Sequence, residues 1–212
     1  MFNQAELFPS LQTTVDQLFS VYDQIPNDRK IVLRQLSDFV SERLKAGRKV
    51  SLNFICTHNS RRSHMAQIWA QTAAYYFDIP NVECYSGGTE ATAFNLRAVK
   101  AMQNVGFKIT ELEEGTNPRY EVLFSNTVSP VIAFSKKYDD PSNPNKDFAA
   151  IMTCSQADEN CPVVSGASAR VAITYDDPKD FDGTSREEAK YKERALQIGR
   201  EMLFAFNQIA NV

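Results

Sequence analysis

The residues best suited to chemistry lie in one short run, where a cysteine is followed, after five residues, by an arginine and then a serine. Cys56, Arg62 and Ser63 hold these positions. The run lies between the apolar strand pattern of residues 50–55 and a helical pattern, and a strand–loop–helix junction directs backbone N–H groups and the positive end of the helix at one point. We expect a tetrahedral oxyanion to bind there, with the planar guanidinium of Arg62 contacting two of its oxygens.

The same positive field favours the thiolate of Cys56, so we predict that this residue is the nucleophile. Ser63 can donate to that sulfur and stabilise it as a leaving group, and Asn59 suits a loop position with positive φ. The loop residues predicted to bind the substrate are Thr57, His58, Asn59, Ser60, Arg61 and Arg62. In the alternative interpretation Cys56 is a small buried hydrophobe and Arg62 makes a surface ion pair. A zinc site through Cys56 and His58 would lack two of its four ligands, so we predict no metal.

A second pair of cysteines, Cys154 and Cys161, is separated by six residues and followed by a proline. In a reducing compartment, two cysteines this close indicate redox exchange or metal binding. A static buried pair is the alternative. The residues between them include Asp158, Glu159 and Asn160, and this polar content is compatible with local unfolding. The fourth cysteine, Cys84, lies in an apolar strand pattern, and we interpret it as structural.

Composition excludes several classes of protein. The chain has 212 residues, 43% hydrophobic and 23% charged, with a formal net charge of −3. This balance argues against general nucleic-acid binding, which requires a basic surface. No apolar run approaches the roughly 20 residues of a membrane span. The N-terminus lacks the pattern of a secretory signal, so we predict a cytoplasmic location, where thiols are kept reduced.

Strand and helix patterns alternate along most of the chain and predict an α/β fold with an open, largely parallel sheet flanked by helices. Strands are predicted at residues 50–55, 82–86, 131–134, 149–153 and 171–174. In such folds ligands bind beyond the carboxyl ends of the strands, where the loops after Ile55, Thr153 and Thr174 lie. Gly87 and Gly88 are predicted to form a turn, and His64 is predicted to be a surface residue.

Residues 1–48 have a different pattern and are predicted to form an N-terminal helical hairpin extension. Apolar residues recur at helical spacing on both sides of a break at residues 26–28. Acidic and basic side chains are nearly balanced in this segment, which indicates a solvated surface rather than a binding site for a polyanion. We predict that residues 49–212 form the catalytic domain and that the N-terminal helices pack on it or mediate a homodimer.

The C-x5-R-S loop near the start of an α/β domain resembles that of the low-molecular-weight protein tyrosine phosphatase superfamily, and the resemblance extends roughly from Lys49 to the C-terminus. This superfamily has an Asp-Pro pair late in the chain, which Asp177 and Pro178 match. The resemblance implies that Asp177, rather than Asp176, is the general acid. The alternative is that Asp-Pro only starts a turn before a helix.

The C-x6-C-P pattern makes the chain most similar to the thioredoxin-coupled arsenate reductases of the same superfamily. That resemblance implies a relay in which Cys56 attacks arsenate, Cys154 attacks Cys56, and Cys161 attacks Cys154. It also implies that the Ser155–Asn160 segment rearranges. A thioredoxin-like dithiol protein would reduce the final disulfide, with no bound cofactor. The chain departs from the family at Arg61, where many relatives have a second cysteine. It also departs at Gln67, where many have an acidic residue that helps bind potassium.

Two other functions remain open. A phosphatase acting on phosphotyrosine or small phosphate esters would need Cys56, Arg62 and Asp177 but not the later cysteines. A non-catalytic module would use the loop only to bind an oxyanion. The predicted partners are therefore arsenate or a phosphate ester and a thioredoxin-like protein, with no nucleic acid and no membrane.

Overall fold

The computed structural model describes residues 5–160 and 163–210, with only the backbone described for residues 160 and 210. Six helices and seven strands follow one another along this part of the chain. The helices are α1 Pro9–Phe19, α2 Asn27–Lys45, α3 Arg62–Tyr76, α4 Leu96–Asn104, α5 Ser155–Asn160 and α6 Glu187–Ala210. The strands are β1 Val50–Cys56, β2 Val82–Gly88, β3 Lys108–Glu111, β4 Tyr120–Leu123, β5 Val131–Ala133, β6 Phe148–Met152 and β7 Ala167–Ala172. Short 3-10 helices lie at Tyr22–Gln24 and Pro178–Phe181.

The central sheet has four parallel strands in the order β2-β1-β6-β7. Its two middle strands, β1 and β6, are almost completely buried, as expected for strands covered by helices on both faces. The predicted fold class, an open parallel sheet flanked by helices, is confirmed. The parallel arrangement brings the loops after β1 and β6 to the same edge of the sheet.

A second, antiparallel sheet of three short strands, in the order β3-β4-β5, was not predicted. The sequence predicted a strand at residues 131–134 but none at β3 or β4. Three of the four residues of β3 are exposed, so the strand lacks the alternation of apolar and polar residues that would reveal it.

The turn predicted at Gly87 and Gly88 is wrong, because both residues belong to β2 and pair with Ile55 and Cys56 of β1. The glycines serve close packing instead. A Cβ atom on Gly88 would lie 2.7 Å from the amide nitrogen of Asn59, and one on Gly87 would lie 2.8 Å from that of Tyr138. The strand therefore approaches the loop after β1 more closely than any other residue type would permit.

The prediction that His64 is a surface residue is also wrong. Its side chain is fully buried, stacks on Phe94 with ring centroids 4.2 Å apart, and has its Nδ1 atom 3.3 Å from Ser86 Oγ. Burial lowers the pKa of His64 well below its usual value, and the charge of Lys136 lowers it further. The reason is that α3 is covered on nearly every side, so even its polar residues are enclosed.

The N-terminal helices pack against the rest of the chain through their apolar faces. Leu11 and Val15 of α1 and Leu33 and Leu36 of α2 are completely buried in the main hydrophobic cluster, which also includes residues of α6. The division into an extension and a catalytic domain stays a prediction. Among the described residues, no helix is both long enough and apolar enough to cross a membrane.

Candidate active site

The loop between β1 and α3 is fixed through its carbonyl groups. These oxygens accept hydrogen bonds from neighbouring segments: Cys56 from Thr89 N (3.2 Å), Thr57 from Glu90 N (2.8 Å), His58 from Ser135 Oγ (3.0 Å) and Ser60 from Asn95 N (2.9 Å). The amides of residues 57–62, by contrast, donate to no other group within the described chain. A loop with bonded carbonyls and free amides, at the N-terminus of a 15-residue helix, is suited to bind an anion.

Asn59 holds the shape of this loop. Its φ of 43° confirms the predicted positive φ. Its Oδ1 atom accepts a hydrogen bond from Lys136 N (2.9 Å), and its Nδ2 atom donates to Ser63 Oγ (2.9 Å). Because the backbone N–H of Lys136 can only donate, the orientation of the amide is fixed, and Ser63 must accept from Asn59.

The nucleophile candidate, Cys56, lies at the end of β1 with its sulfur 3.1 Å from Ser63 Oγ. Since Ser63 accepts from Asn59, its own hydroxyl proton is available to the sulfur. A hydrogen bond donated to sulfur favours its charged form. The structure therefore places Ser63 where the sequence analysis expected it, in contact with the Cys56 thiol.

Arg62 begins α3, and its guanidinium contacts the segment that follows β7. Nη1 donates to the carbonyl oxygen of Tyr175 (2.8 Å), and Nη2 donates to Asp177 Oδ2 (2.7 Å). Asp177 also accepts from Lys179 N (3.1 Å) and so caps the short 3-10 helix that starts at Pro178. Asp177 thus begins a short helix and also lies beside the loop between β1 and α3, here called the anion loop, and its role as general acid stays a prediction.

Arg61 has different partners. Its Nε atom donates to Tyr191 Oη (2.9 Å), and its guanidinium lies 3.9 Å from both Asp177 and Asp182. Burial raises the pKa of Tyr191 to about 12, and its bond to Asp182 contributes. Arg61 therefore connects the anion loop with α6. Asp176, the disfavoured acid, has a side chain that is 93% exposed and pairs with Arg194.

Cys154 follows β6 and lies beside the anion loop. Ile55 pairs with Met152, so the register places Cys154 next to the start of the loop. The Cys154 sulfur is 3.5 Å from Thr57 Oγ1 and accepts a hydrogen bond from Ala157 N (3.3 Å). Cys56 and Cys154 also belong to the same small cluster of buried residues. Cys161 lies outside the described residues.

The segment from Ser155 to Asn160, expected to rearrange, forms the short helix α5. It is attached through Asp158, whose carboxylate pairs with Arg170 (2.5 Å), and through Gln156, which accepts a hydrogen bond from Thr57 Oγ1 (3.2 Å). A helix this short gains little stability from its own hydrogen bonds. The structure therefore shows one ordered arrangement of a segment with few internal restraints.

An open cleft of about 390 Å³ lies between the anion loop, the start of α5 and the segment after β7. Arg62, Cys154 and Asp177 line it together with His58, whose side chain is 43% exposed and lies 3.6 Å from Glu90. Ser60 contributes backbone only, because its hydroxyl donates to Ala93 O (2.7 Å). No cluster of three or more His, Cys, Asp or Glu side chains suited to a metal ion occurs in the described part of the chain.

Cys84 and Gln67 lie outside the site. Cys84 is buried on β2, and burial raises the pKa of its thiol, which agrees with a structural role. Gln67, at the position of the family's acidic residue, donates from Nε2 to Cys84 O (3.0 Å). The contact of Arg62 with the backbone carbonyl of Tyr175 was not predicted, because no side-chain pattern reveals a contact of this kind.

Comparison with known proteins first defines the class. No protein-family model matches the chain. The structure is similar to that of a low-molecular-weight phosphotyrosine phosphatase from Vibrio cholerae O395, with a TM-score of 0.50 and 15% sequence identity over 75% of this chain and 95% of that one. This similarity concerns the fold, which is that of the low-molecular-weight phosphatases.

Sequence similarity identifies the family within that class. The chain is 32% identical to an arsenate reductase of Bacillus licheniformis over 155 residues, 73% of this chain and 93% of the relative. It is 33% identical to an arsenate reductase of Bacillus subtilis over 150 residues, 70% of this chain and 89% of the relative. The chain therefore belongs to the arsenate reductases of the low-molecular-weight protein tyrosine phosphatase superfamily, and it is an enzyme.

Proposed function

We propose that the protein reduces arsenate to arsenite by a relay of three thiols that a thioredoxin-like protein regenerates. One observation carries the proposal. The parallel register of β1 and β6 places the sulfur of Cys154 beside the loop that follows Cys56, 3.5 Å from Thr57 Oγ1. An enzyme that only hydrolyses phosphate esters has no use for a second thiol at this position.

In the first step arsenate binds in the loop between β1 and α3. The amides of residues 57–62 and the guanidinium of Arg62 hold its oxygens, which replace the contact of Arg62 Nη2 with Asp177, while Nη1 keeps its bond to the Tyr175 carbonyl. The thiolate of Cys56 attacks arsenic and forms a sulfur–arsenic bond. One arsenate oxygen leaves as water after protonation, and Asp177 supplies a proton to it.

In the second step the thiolate of Cys154 attacks the sulfur of Cys56. The new Cys56–Cys154 disulfide forms as the sulfur–arsenic bond breaks, and the electron pair of that bond stays on arsenic, which leaves as arsenite. Arsenic thus gains two electrons and the two thiols lose two. This step requires Cys154 as the thiolate, and its sulfur accepts a hydrogen bond from Ala157 N.

In the third step the thiolate of Cys161 attacks Cys154. A Cys154–Cys161 disulfide forms, and Cys56 is released as a thiolate for the next cycle. A dithiol protein then reduces the new disulfide by exchange and becomes oxidised itself. Disulfide formation requires Cα atoms within about 7 Å, so α5 must change conformation when its two flanking cysteines join.

The partners follow from this chemistry. We propose that arsenate is the small-molecule substrate and that the reductant is a thioredoxin-like protein, with no cofactor bound to the chain. A cytoplasmic location suits a relay that starts from free thiols. The homodimer through the N-terminal helices stays a prediction.

The test measures arsenite release in the presence of thioredoxin, thioredoxin reductase and NADPH. We expect Cys56→Ser, Cys154→Ser and Cys161→Ser each to abolish turnover, whereas Cys84→Ala, the matched control, retains it. Mass mapping of disulfides after one turnover without reductant should find a Cys154–Cys161 bond. Unchanged turnover in Cys154→Ser and Cys161→Ser would refute the relay.

A second candidate function, hydrolysis of phosphate esters, is supported by the contact between Arg62 and Asp177, which brings an acid to the anion loop. It predicts a phosphocysteine at Cys56 that can be trapped, and activity that survives Cys154→Ser. Tight binding of oxyanions without either turnover would instead favour the non-catalytic module.

A further inference from the structure

We propose that Arg29, on helix α2 of the N-terminal segment, is a positioning residue for the oxyanion site and acts through Tyr175 on Arg62. The inference rests on the proposed function in one respect, namely that an oxyanion binds in the loop after β1. It gives residues 1–48 a role in the chemistry of the site.

Arg29 is fixed between two helices. Its Nε and Nη2 atoms donate to Glu201 Oε2 on α6 at 2.9 and 2.7 Å. The side chain of Glu201 is only 2% exposed, so this ion pair is largely shielded from water. Two hydrogen bonds to one buried carboxylate leave the guanidinium little freedom to move.

The guanidinium of Arg29 also lies over the ring of Tyr175, with Cζ 4.8 Å from the ring centroid. The ring is buried, and burial together with the charge of Glu201 raises the pKa of Tyr175 well above its usual value, so the phenol stays neutral. A cation positioned over the face of a neutral aromatic ring is attracted electrostatically to that ring. Arg29 thereby holds the ring in one position.

The backbone of Tyr175 transmits this position to the site. Its N–H donates to the carbonyl oxygen of Thr153, the residue after β6 (3.1 Å), and its carbonyl accepts from Arg62 Nη1 (2.8 Å). Asp177, the proposed acid, follows two residues later and bonds to the same guanidinium. A shift of the Tyr175 ring would therefore displace the carbonyl group that orients Arg62.

A buried ion pair is weak evidence for stability alone, because removing two charges from water costs about as much as their attraction returns. The pair of Arg29 and Glu201 is better explained by the geometry that it imposes. Here that geometry places the ring of Tyr175, and through its carbonyl the guanidinium that binds the oxyanion.

The experiment measures the dissociation constant of inorganic phosphate by isothermal titration calorimetry, together with kcat and KM for arsenate. Arg29→Met keeps the aliphatic part of the side chain and removes the cation. We expect phosphate binding to weaken about five- to tenfold, the equivalent of part of one charge-assisted hydrogen bond, with KM for arsenate rising more than kcat falls. Arg29→Lys restores the cation and should recover part of the affinity.

Arg43→Met is the matched control. Arg43 lies on the same helix, makes two hydrogen bonds of 2.6 Å to Asp147 and stacks on Phe39, but none of these partners adjoins Arg62. We expect its phosphate affinity and KM to equal those of the wild type. An equal loss in Arg43→Met would show that any weakening of α2 suffices, and the inference would be wrong.

Arg29→Met leaves Glu201 buried without its partner, so thermal denaturation must verify that the variant folds. If Arg29→Met does not fold, the titration uses the double variant Arg29→Met with Glu201→Gln instead, because Glu201→Gln removes the uncompensated charge. Wild-type affinity in whichever of these variants folds overturns the inference. A wild-type protein that binds no phosphate contradicts both proposals, whereas phosphate binding without arsenite release contradicts only arsenate reduction.

Discussion

Arg62 and Asp177 are joined by a hydrogen bond of 2.7 Å between Nη2 and Oδ2. The guanidinium that an oxyanion requires is thus already occupied by the group proposed to act as its acid. An incoming anion must exchange this bond for its own, and the released carboxyl group then stands beside the anion it is to protonate. We therefore expect this contact to lower the affinity of the site for oxyanions and to hold the proposed acid beside the bound anion.

The first prediction concerns this competition. Replacing Asp177 by Asn removes the negative charge that competes for Arg62 and repels the anion. We expect phosphate to bind roughly three- to tenfold more tightly, since Asn keeps a neutral acceptor and loses only part of the about 1.5–3 kcal/mol that a hydrogen bond to a charged group contributes, and we expect arsenate turnover to fall at least tenfold because the acid is lost. Titration calorimetry and steady-state kinetics measure the two effects.

Asp176→Asn is the control for this prediction. Its carboxylate is adjacent in sequence but exposed, and it pairs with Arg194 rather than with Arg62. Its phosphate affinity should stay near that of the wild type. Weaker binding in Asp177→Asn would show that the carboxylate orients Arg62 rather than competing with the anion.

A second prediction follows from the hydrogen bonds around Ser63. Ser63→Ala removes the donor to the Cys56 sulfur and leaves Asn59 Nδ2 without its acceptor. Cys56 should then be alkylated by iodoacetamide at neutral pH several-fold more slowly, because about 1 kcal/mol of stabilisation of the thiolate is lost. Peptide mass spectrometry follows the modification of Cys56 over time.

Ser37→Ala serves as the control for loss of a buried hydroxyl. The hydroxyl of Ser37 contacts the backbone carbonyls of Leu33 in α2 and Ala205 in α6. The substitution should leave the alkylation rate of Cys56 unchanged. An unaltered rate in Ser63→Ala would mean that the amides and the helix alone favour the thiolate.

A third prediction uses the close approach of β2 to the anion loop. Gly88→Ala places a Cβ atom 2.7 Å from both Asn59 N and Thr57 O, so the backbone of the loop must shift. We expect a loss of about 1–3 kcal/mol of unfolding free energy and at least a tenfold loss of phosphate affinity. Urea denaturation and titration calorimetry separate the two.

Gly47→Ala is the comparison, because Gly47 has a φ of 65° and no atom within 4 Å of the added Cβ. This substitution should cost stability through backbone strain and leave phosphate affinity intact. If Gly88→Ala binds phosphate like the wild type, the packing of the glycine against the loop has no bearing on the site.

The sequence predicted the parts of this site that depend on residue type and local order. Cys56, Arg62 and the positive φ of Asn59 follow from one strand–loop–helix junction, and the parallel sheet follows from the alternation of elements. What it could not predict depends on contacts between distant segments. Gly88 resembles a turn residue until its neighbours in space are known, and His64 resembles a surface residue because burial on all sides of α3 leaves no polar face to mark it.

The buried His64 gives a final prediction, on the pH dependence of stability. Its pKa is lowered in the folded protein, mainly by burial, while in the unfolded chain it is near 6.5. Between these two values the unfolded state binds more protons, so stability falls as pH decreases below about 6.5, by at most about 1.4 kcal/mol per pH unit.

The other histidine, His58, is partly exposed, and the carboxylates with lowered pKa values, such as that of Asp147, titrate at lower pH. Urea denaturation between pH 5 and 7.5 should therefore show a slope in the wild type that is shallower in His64→Gln, whatever the absolute stability of that variant, whereas His58→Gln should retain the full slope. The same slope in His64→Gln would place the proton uptake elsewhere and contradict the assignment.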